Sequence, residues 1–373
     1  MPYLHPRARR RTYATPRWSA LASGLCLVGL LLAAALSPPA SAVPLRGLWV
    51  NAWGEGVKSP QEVDRLVETA KVAGVNALFV QVRKRADAYY RSDLVPCARD
   101  VPAGYDPLED LLAKAHAEGI QVHAWMVMLL AQSALSGRAI PPDSLLAQHP
   151  DWVTFSKAGR RMGPGQSEGY YLDPGVPEVR QYLASVVRDL VERYPVDGVN
   201  LDYIRYPGAK WGYHPTAVWR FHRETGKATL RAPQLWSQWR RNQVTNLVRA
   251  ITAAAKLARP GVQVSADVWA NVPEARENRL QDWERWLKLG ALDFVLPMNY
   301  TSNLALFRRR AADLYRRNGT AKVCMGIYNV PQAVEMAREA LKLGGQGIAF
   351  YHYGGFQPPF WENLKARVAD GGS

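Results

Sequence analysis

From residue 46 to residue 353 the chain alternates short β-branched and aromatic runs with amphipathic stretches, and it does so eight times. The runs fall at 46–52, 77–82, 121–127, 198–205, 263–269, 294–300, 322–328 and 347–353. Parallel strands need a crossover long enough to hold a helix, so regular alternation of this kind builds a parallel sheet. Eight units predict a single α/β domain closed as a (β/α)8 TIM barrel. An open doubly wound sheet is the rival fold. Its first turn would be glycine-rich, and Gly54-Glu55-Gly56 lacks the GxGxxG spacing.

Helix starts and stops agree with this frame. Ser59-Pro60-Gln61-Glu62 reads as a capping box with proline at the first helical position, and Asp106-Pro107-Leu108-Glu109 repeats the logic. Gly74, Gly119, Gly290 and Gly319 stand where helices should end. Length beyond a minimal barrel falls in three loops, 83–105, 128–177 and 207–232, after the second, third and fourth strands. Active sites of such barrels form on that side.

The first 42 residues read differently. Arg7, Arg9, Arg10, Arg11 and Arg17 precede an apolar run from Ala20 to Leu36, and Ala40-Ser41-Ala42 closes the segment. A basic start, a short apolar stretch and a small-x-small site make a secretory signal peptide; an uncleaved membrane anchor is the alternative. The expected organisation is a signal segment at 1–42 and a barrel domain at 43–373, exported to the periplasm, envelope or exterior. The whole chain carries +15, and losing five Arg and no acid leaves the remainder near +10. Such a surface suits anionic surroundings. Cys97 and Cys324 remain, either paired or as separate thiols.

Strand parity locates the chemistry. Alternate residues of a strand face opposite sides, so in 198–203 Val199, Leu201 and Tyr203 suit the helix layer while Asn200 and Asp202 point inward. The same rule turns Gln263, Ser265, Asp267 and Trp269 inward on the fifth strand. It also selects Trp49 and Asn51, Gln81 and Arg83, His123 and Trp125, Asn299, and Tyr351. An interior this polar is costly unless it is hydrogen-bonded or wet at its mouth, which favours a polar ligand site. Acids near strand ends are Glu55, Asp87, Asp93, Asp202 and Asp267, and the third, sixth, seventh and eighth strands offer none nearby. Asp202 and Asp267 alone point inward within neighbouring strands. Two carboxylates over a sugar-sized cleft are the apparatus of glycoside hydrolysis. Trp53, Trp125, Trp211, Trp269, Tyr206 and Tyr300 could stack on sugar faces.

Other chemistries fit less well. The seven His form no HExxH motif, and no GxSxG elbow is present. The Arg clusters at 240–241, 308–310 and 316–317 lie on predicted helices and read as solvated faces, not as a nucleic-acid surface.

An ordered series of blocks adds to this. Leu48-Trp49-Val50 is followed by Phe79-Val80-Gln81-Val82-Arg83, Asp87-Ala88-Tyr89-Tyr90 and Gly104-Tyr105-Asp106-Pro107-Leu108. Val122-His123-Ala124-Trp125, His149-Pro150-Asp151-Trp152 and Leu172-Asp173-Pro174-Gly175 come next. The series ends on Asp197-Gly198-Val199-Asn200-Leu201-Asp202-Tyr203-Ile204-Arg205-Tyr206-Pro207. Over roughly residues 45–360 the chain resembles the glycosyl hydrolase-like family 10 (the DUF187 group). These are exported (β/α)8 barrels that include bacterial cell-wall glycosidases acting on peptide-free peptidoglycan strands. The family often carries paired acids at the end of the fourth strand, where this chain has Asp202-Tyr203. It often has Ser-Pro on the fifth, where this chain has Ser265-Ala266-Asp267.

The resemblance implies a hydrolase of a bacterial polysaccharide, most simply the peptidoglycan glycan, with no metal or organic cofactor. Asp202 is expected to be nucleophile or base, and Asp267, from parity, the proton donor. Expected substrate-binding residues are Arg83, Asp87, His123, Trp125, Tyr206, Trp269, Asn299, Tyr300 and Tyr351. The partner is then a cell-wall glycan, with no nucleic acid, and a membrane only through an uncleaved N-terminal segment. A barrel that binds polysaccharide without cleaving it is the alternative.

Overall fold

The computed structural model describes residues 44–133, 140–345 and 347–369, so the signal-peptide expectation for 1–42 lies outside the described residues. Eight parallel strands close a barrel: β1 (Leu45–Val50), β2 (Ala77–Arg83), β3 (Gln121–Val127), β6 (Gly198–Asp202), β7 (Gln263–Trp269), β8 (Phe294–Met298), β9 (Met325–Tyr328) and β10 (Gly347–Tyr351). The hairpin β4 (Leu130–Ser133) and β5 (Gly169–Tyr171) is a separate antiparallel pair inside the long loop after β3. Closure is made by β1, which pairs β2 on one side and β10 on the other.

The outer face of the barrel packs on helices. Leu48, Val50, Leu78, Val80, Val122, Val199, Leu201, Val264, Ala266 and Val268 belong to one continuous buried core with the helix residues Val63, Leu66, Leu111, Val186, Leu247 and Ile251. Each fully buried Val or Leu contributes about 1.5–3 kcal/mol of transfer free energy. Trp49, Phe79, Trp125, Phe294, Leu296 and Cys324 form a second cluster, with Tyr351 against it. The rings of Trp125 on β3 and Tyr351 on β10 lie 6.3 Å apart although their strands are not neighbours. Only the barrel lumen allows that meeting, so parity holds at Trp49, Trp125 and Tyr351.

Helix ends follow the local chemistry. Ser59 Oγ accepts from the Glu62 amide at 3.2 Å, with Pro60 first in the helix Pro60–Ala73. The Glu62 carboxylate reaches back to the Gly56 and Lys58 amides, both at 2.9 Å, one residue before the amide that a standard box would use. That helix stops at Gly74, whose φ of 68° is the left-handed conformation that glycine adopts without a Cβ penalty.

Several strands end earlier than the sequence patterns suggest. The run at 198–205 stops at Asp202, because Tyr203 takes φ 50° and turns the chain out of the sheet. The run at 294–300 stops at Met298, leaving Asn299 and Tyr300 in the following loop. Arg240 and Arg241 are not a solvated face. Arg240 is buried, donating to the carbonyls of Ala209 (2.7 Å) and Trp211 and lying over the rings of Tyr213 and Trp236. Arg241 is buried beside Gln238. Helix periodicity cannot see this, because the loop 207–232 folds over that face. Cys97 and Cys324 are separate thiols, one exposed and one inside the barrel.

Candidate active site

At the carboxyl end of the barrel, β6 and β7 stand side by side, with Leu201 opposite Ala266 as their last paired residues. One position further on each strand, Asp202 and Asp267 turn inward, and both are buried at the base of a cavity of about 570 Å³. Their surroundings differ. The Tyr203 amide donates to Asp202 Oδ1 at 2.6 Å, and Trp125 Nε1 donates to Oδ2 at 3.1 Å. Arg205 Nη1 lies 3.7 Å from the same carboxylate. Asp267 accepts from Asn200 Nδ2 at 3.2 Å, which also reaches Ser265 Oγ, and the Trp49 indole on β1 is its other nearby donor.

Those differences separate the two acids. Burial pushes the Asp267 carboxyl well above the ordinary carboxylate range, and the nearby Asp202 charge pushes it further. Burial raises Asp202 as well, but Arg205, the Tyr203 amide and Trp125 all favour its ionised form. Of the two, Asp267 is therefore the better place for a proton and Asp202 the better place for a charge.

Two walls complete the cavity. Aromatic rings make one: Trp125, Tyr300 and Tyr351 line it, with Tyr351 5.5 Å from Tyr300 and Trp125 meeting it edge-on, while Tyr328, outside the lining, stacks on Tyr351 at 6.0 Å. The other comes from the β4–β5 hairpin, which brings Ser167 and Glu168 to the lining. Glu168 accepts from Tyr171 OH and Ser167 Oγ, each at 2.8 Å, and lies 3.6 Å from Arg205 Nη2. Burial alone would raise its carboxyl, but Arg205 and these hydroxyls outweigh burial and hold it below the usual range. Arg205 thus sits between two carboxylates, its guanidinium 4.3 Å over the Tyr203 ring.

The profile of the glycosyl hydrolase-like 10 family matches residues 44–330. The chain belongs to that family. Among its relatives, the glycosyl hydrolase DigH of Escherichia coli K12 is 28% identical, with 85% of this chain and 76% of DigH covered. YngK of Bacillus subtilis 168, also named a glycosyl hydrolase, is 25% identical over 68% of this chain and 52% of its own. Among solved structures, the PgaB (BpsB) glycoside hydrolase domain from Bordetella bronchiseptica superposes with a TM-score of 0.67 at 16% identity, covering 88% of this chain and 98% of that one. An α-L-fucosidase from Paenibacillus thiaminolyticus gives 0.66 at 15% identity, covering 88% and 49%. At such identities these likenesses show the shared barrel. Family membership and the acid-lined cavity together make this glycosyl hydrolase-like 10 protein a glycoside hydrolase.

Within this family member, Asn51 and Gln81 from the inward set and Trp53 from the stacking set line the cavity, as do five of the eleven expected catalytic or substrate-binding residues: Asp202, Asp267, Trp125, Tyr300 and Tyr351. The other six lie elsewhere. A register shift between Gln81 and Arg83 turns the Arg83 side chain aside, and it donates to the carbonyls of Val127 and Met128 at the end of β3. His123 lies deeper in the lumen, its ring 4.7 Å from Phe79. Burial drives its pKa down to about 4, which keeps it neutral. A Cβ on Gly198 would come within 2.2 Å of this ring, so the absent side chain makes its slot. Asp87 caps a turn, accepting from the Lys84 and Arg85 amides. Tyr206 is buried and donates to Asp173 at 3.0 Å. Arg279 covers the Trp269 ring at 4.3 Å. Asn299 donates to the Phe307 carbonyl at 3.1 Å.

Of the other acids, Glu55 is exposed, 3.7 Å from Arg65, and Asp93 pairs with Arg193. Glu168 corrects the acid census: the third strand does supply an acid, through a hairpin far along its loop. Arg205 stands in the Asp197–Pro207 block, yet strand parity groups it with the outward Val199, Leu201 and Tyr203; the strand ends at Asp202, and the turn at Tyr203 brings it to the cavity instead. Lys84 and Arg85, just beyond β2, also line the cavity.

Proposed function

We propose that this glycoside hydrolase cleaves the peptide-free glycan strands of peptidoglycan outside the cytoplasm, with Asp267 as proton donor and Asp202 as its ionised partner. The observation that carries the chemistry is the unequal pair: adjacent buried carboxyls, one rich in donors and cations, the other poor. Asp267 gives its proton to the leaving glycosidic oxygen as that bond breaks. Asp202 then acts on the anomeric carbon in one of two ways. It attacks directly and forms a glycosyl-enzyme that water later hydrolyses, or it takes a proton from the attacking water. Substrate rings have the Trp125, Tyr300 and Tyr351 wall to pack against.

The glycan assignment draws on the sequence blocks shared with cell-wall glycosidases, the basic and apolar segment at 1–42, and the net positive charge. The test is mass spectrometry of soluble products released from sacculi stripped of peptide. Fragments of alternating amino sugars with new reducing ends support the proposal. Intact strands, alongside cleavage of another envelope polysaccharide, would move the substrate elsewhere.

A further inference from the structure

The cavity wall beyond β2 carries a cation that no carboxylate among the described residues opposes. Lys84 and Arg85 follow β2 directly and line the cavity beside Trp53. Lys84 is paired: its ammonium lies 3.2 Å from Asp100, which also accepts from Tyr89 OH at 2.7 Å and meets Lys58 at 3.1 Å. Arg99 is paired with Asp143 at 3.1 Å. Asp87, next to Arg85 in the chain, turns its carboxylate to two backbone amides instead of the guanidinium. Arg85 is left with no carboxylate partner among the described residues.

An aromatic ring nevertheless supports it. The guanidinium lies 4.5 Å over the face of Trp53, and such stacking leaves the N–H edge free to donate. Arg85 also lines a second cavity of about 310 Å³, whose acids Asp87, Asp100 and Asp143 are already engaged by backbone amides, by Lys84 and by Arg99. A glycan that runs from the acid pair into this second cavity passes over Arg85. Arg205 is a poorer candidate for an anionic group, because Asp202 and Glu168 already oppose its charge.

We propose that Arg85 reads a carboxylate carried on a substrate sugar and so makes the cleft selective for strands whose lactyl group is free. This rests on the peptidoglycan reading above. When peptide is removed from a muramyl residue, the lactyl group ends in a carboxylate; when peptide is present, it ends in a neutral amide with bulk behind it. A carboxylate accepts the paired N–H donors of a guanidinium, whereas an amide supplies one weaker acceptor and no charge.

The experiment is calorimetric titration of the Asp267→Asn protein, which keeps the charge of the protonated acid while slowing cleavage. The ligands are a peptide-free muramyl oligosaccharide, its methylamide, and a uronic-acid oligosaccharide of equal length. With Arg85 in place the acid should bind about tenfold more tightly than the methylamide. That preference should shrink as salt rises. In Arg85→Met the ratio should fall to about one, while Arg85→Lys, with charge but no fork, should retain part of it. Equal affinity for acid and amide with Arg85 present, or a preference that survives in Arg85→Met, overturns the inference. Tight uronate binding that depends on Arg85 supports carboxylate reading and assigns its source to a uronic acid. Cleavage of peptide-free strands by the unaltered enzyme is scored separately. Cleavage without an acid preference overturns the role of Arg85 alone, and an acid preference without cleavage overturns the proposed activity alone.

Discussion

At the residue scale, the site stores its chemistry as an imbalance between two like groups. Asp267 is a buried carboxyl whose neighbouring donors, Asn200 and Trp49, are neutral, so burial favours its protonated form at the expense of the fold. As pH rises through the ordinary carboxylate range, the unfolded chain releases this proton while the folded chain holds it, and stability falls over that window. Asp267→Asn has no proton to lose. It should therefore raise Tm by about 2 °C at neutral pH and leave it unchanged below about pH 4. Calorimetry at the two pH values checks this, and an equal shift at both would tie the effect to packing. The same variant should lose turnover on glycan strands yet largely keep an accepted aryl glycoside, whose leaving group needs little protonation. Activity of the unaltered enzyme should be bell-shaped in pH. The alkaline limb follows Asp267 losing its proton, and the acid limb follows Asp202 gaining one, above the usual carboxylate range because of burial. A profile flat across the alkaline side would remove Asp267 as proton donor. Parity in the sequence reached both acids because it reports which side a side chain takes. It does not report depth, which is why His123 sits beneath the cavity and not in it.

The element that most shapes the cleft is the β4–β5 hairpin, held to the barrel through Glu168, Tyr171 and Arg205. Tyr203 contributes by leaving the sheet at φ 50°, which brings its amide onto Asp202 and its ring under Arg205. Glu168→Gln should release this wall without disturbing the barrel. We expect KM on polymer to rise about tenfold, the scale of one charge-assisted contact, with kcat changed far less and Tm unmoved. Loss of kcat instead, with KM unchanged, would make Glu168 a participant in the chemical step. Sequence reading foresaw a long functional loop here but could not place Glu168. Its position depends on a hairpin between short, weakly patterned strands, Leu130–Ser133 and Gly169–Tyr171, and on a pairing distant in sequence. The eight barrel strands were legible for the opposite reason: each is buried and bounded by capping signals. Arg83 marks the limit of that legibility, since one register shift in β2 was enough to redirect it.

At the scale of the whole molecule, the barrel converges side chains from distant parts of the chain on one end: Trp125, Asp202, Asp267, Tyr300 and Tyr351 share a single cavity. Helices shield the outer face of every strand, so variation at this end leaves the core intact. The net positive charge agrees with the proposed action on an anionic wall polymer, and Arg85, without a carboxylate partner among the described residues, brings that charge into the cleft itself. The central claim is that the unequal acids cut a cell-wall glycan. The most direct test follows reducing ends released from peptide-free peptidoglycan by the unaltered protein and by Asp202→Asn, with circular dichroism and Tm recorded for both. Steady release by the unaltered protein is expected, with a loss of about a thousandfold or more in Asp202→Asn and the fold preserved. Full release by a folded Asp202→Asn would contradict it, and Glu168 would then be the acid to test.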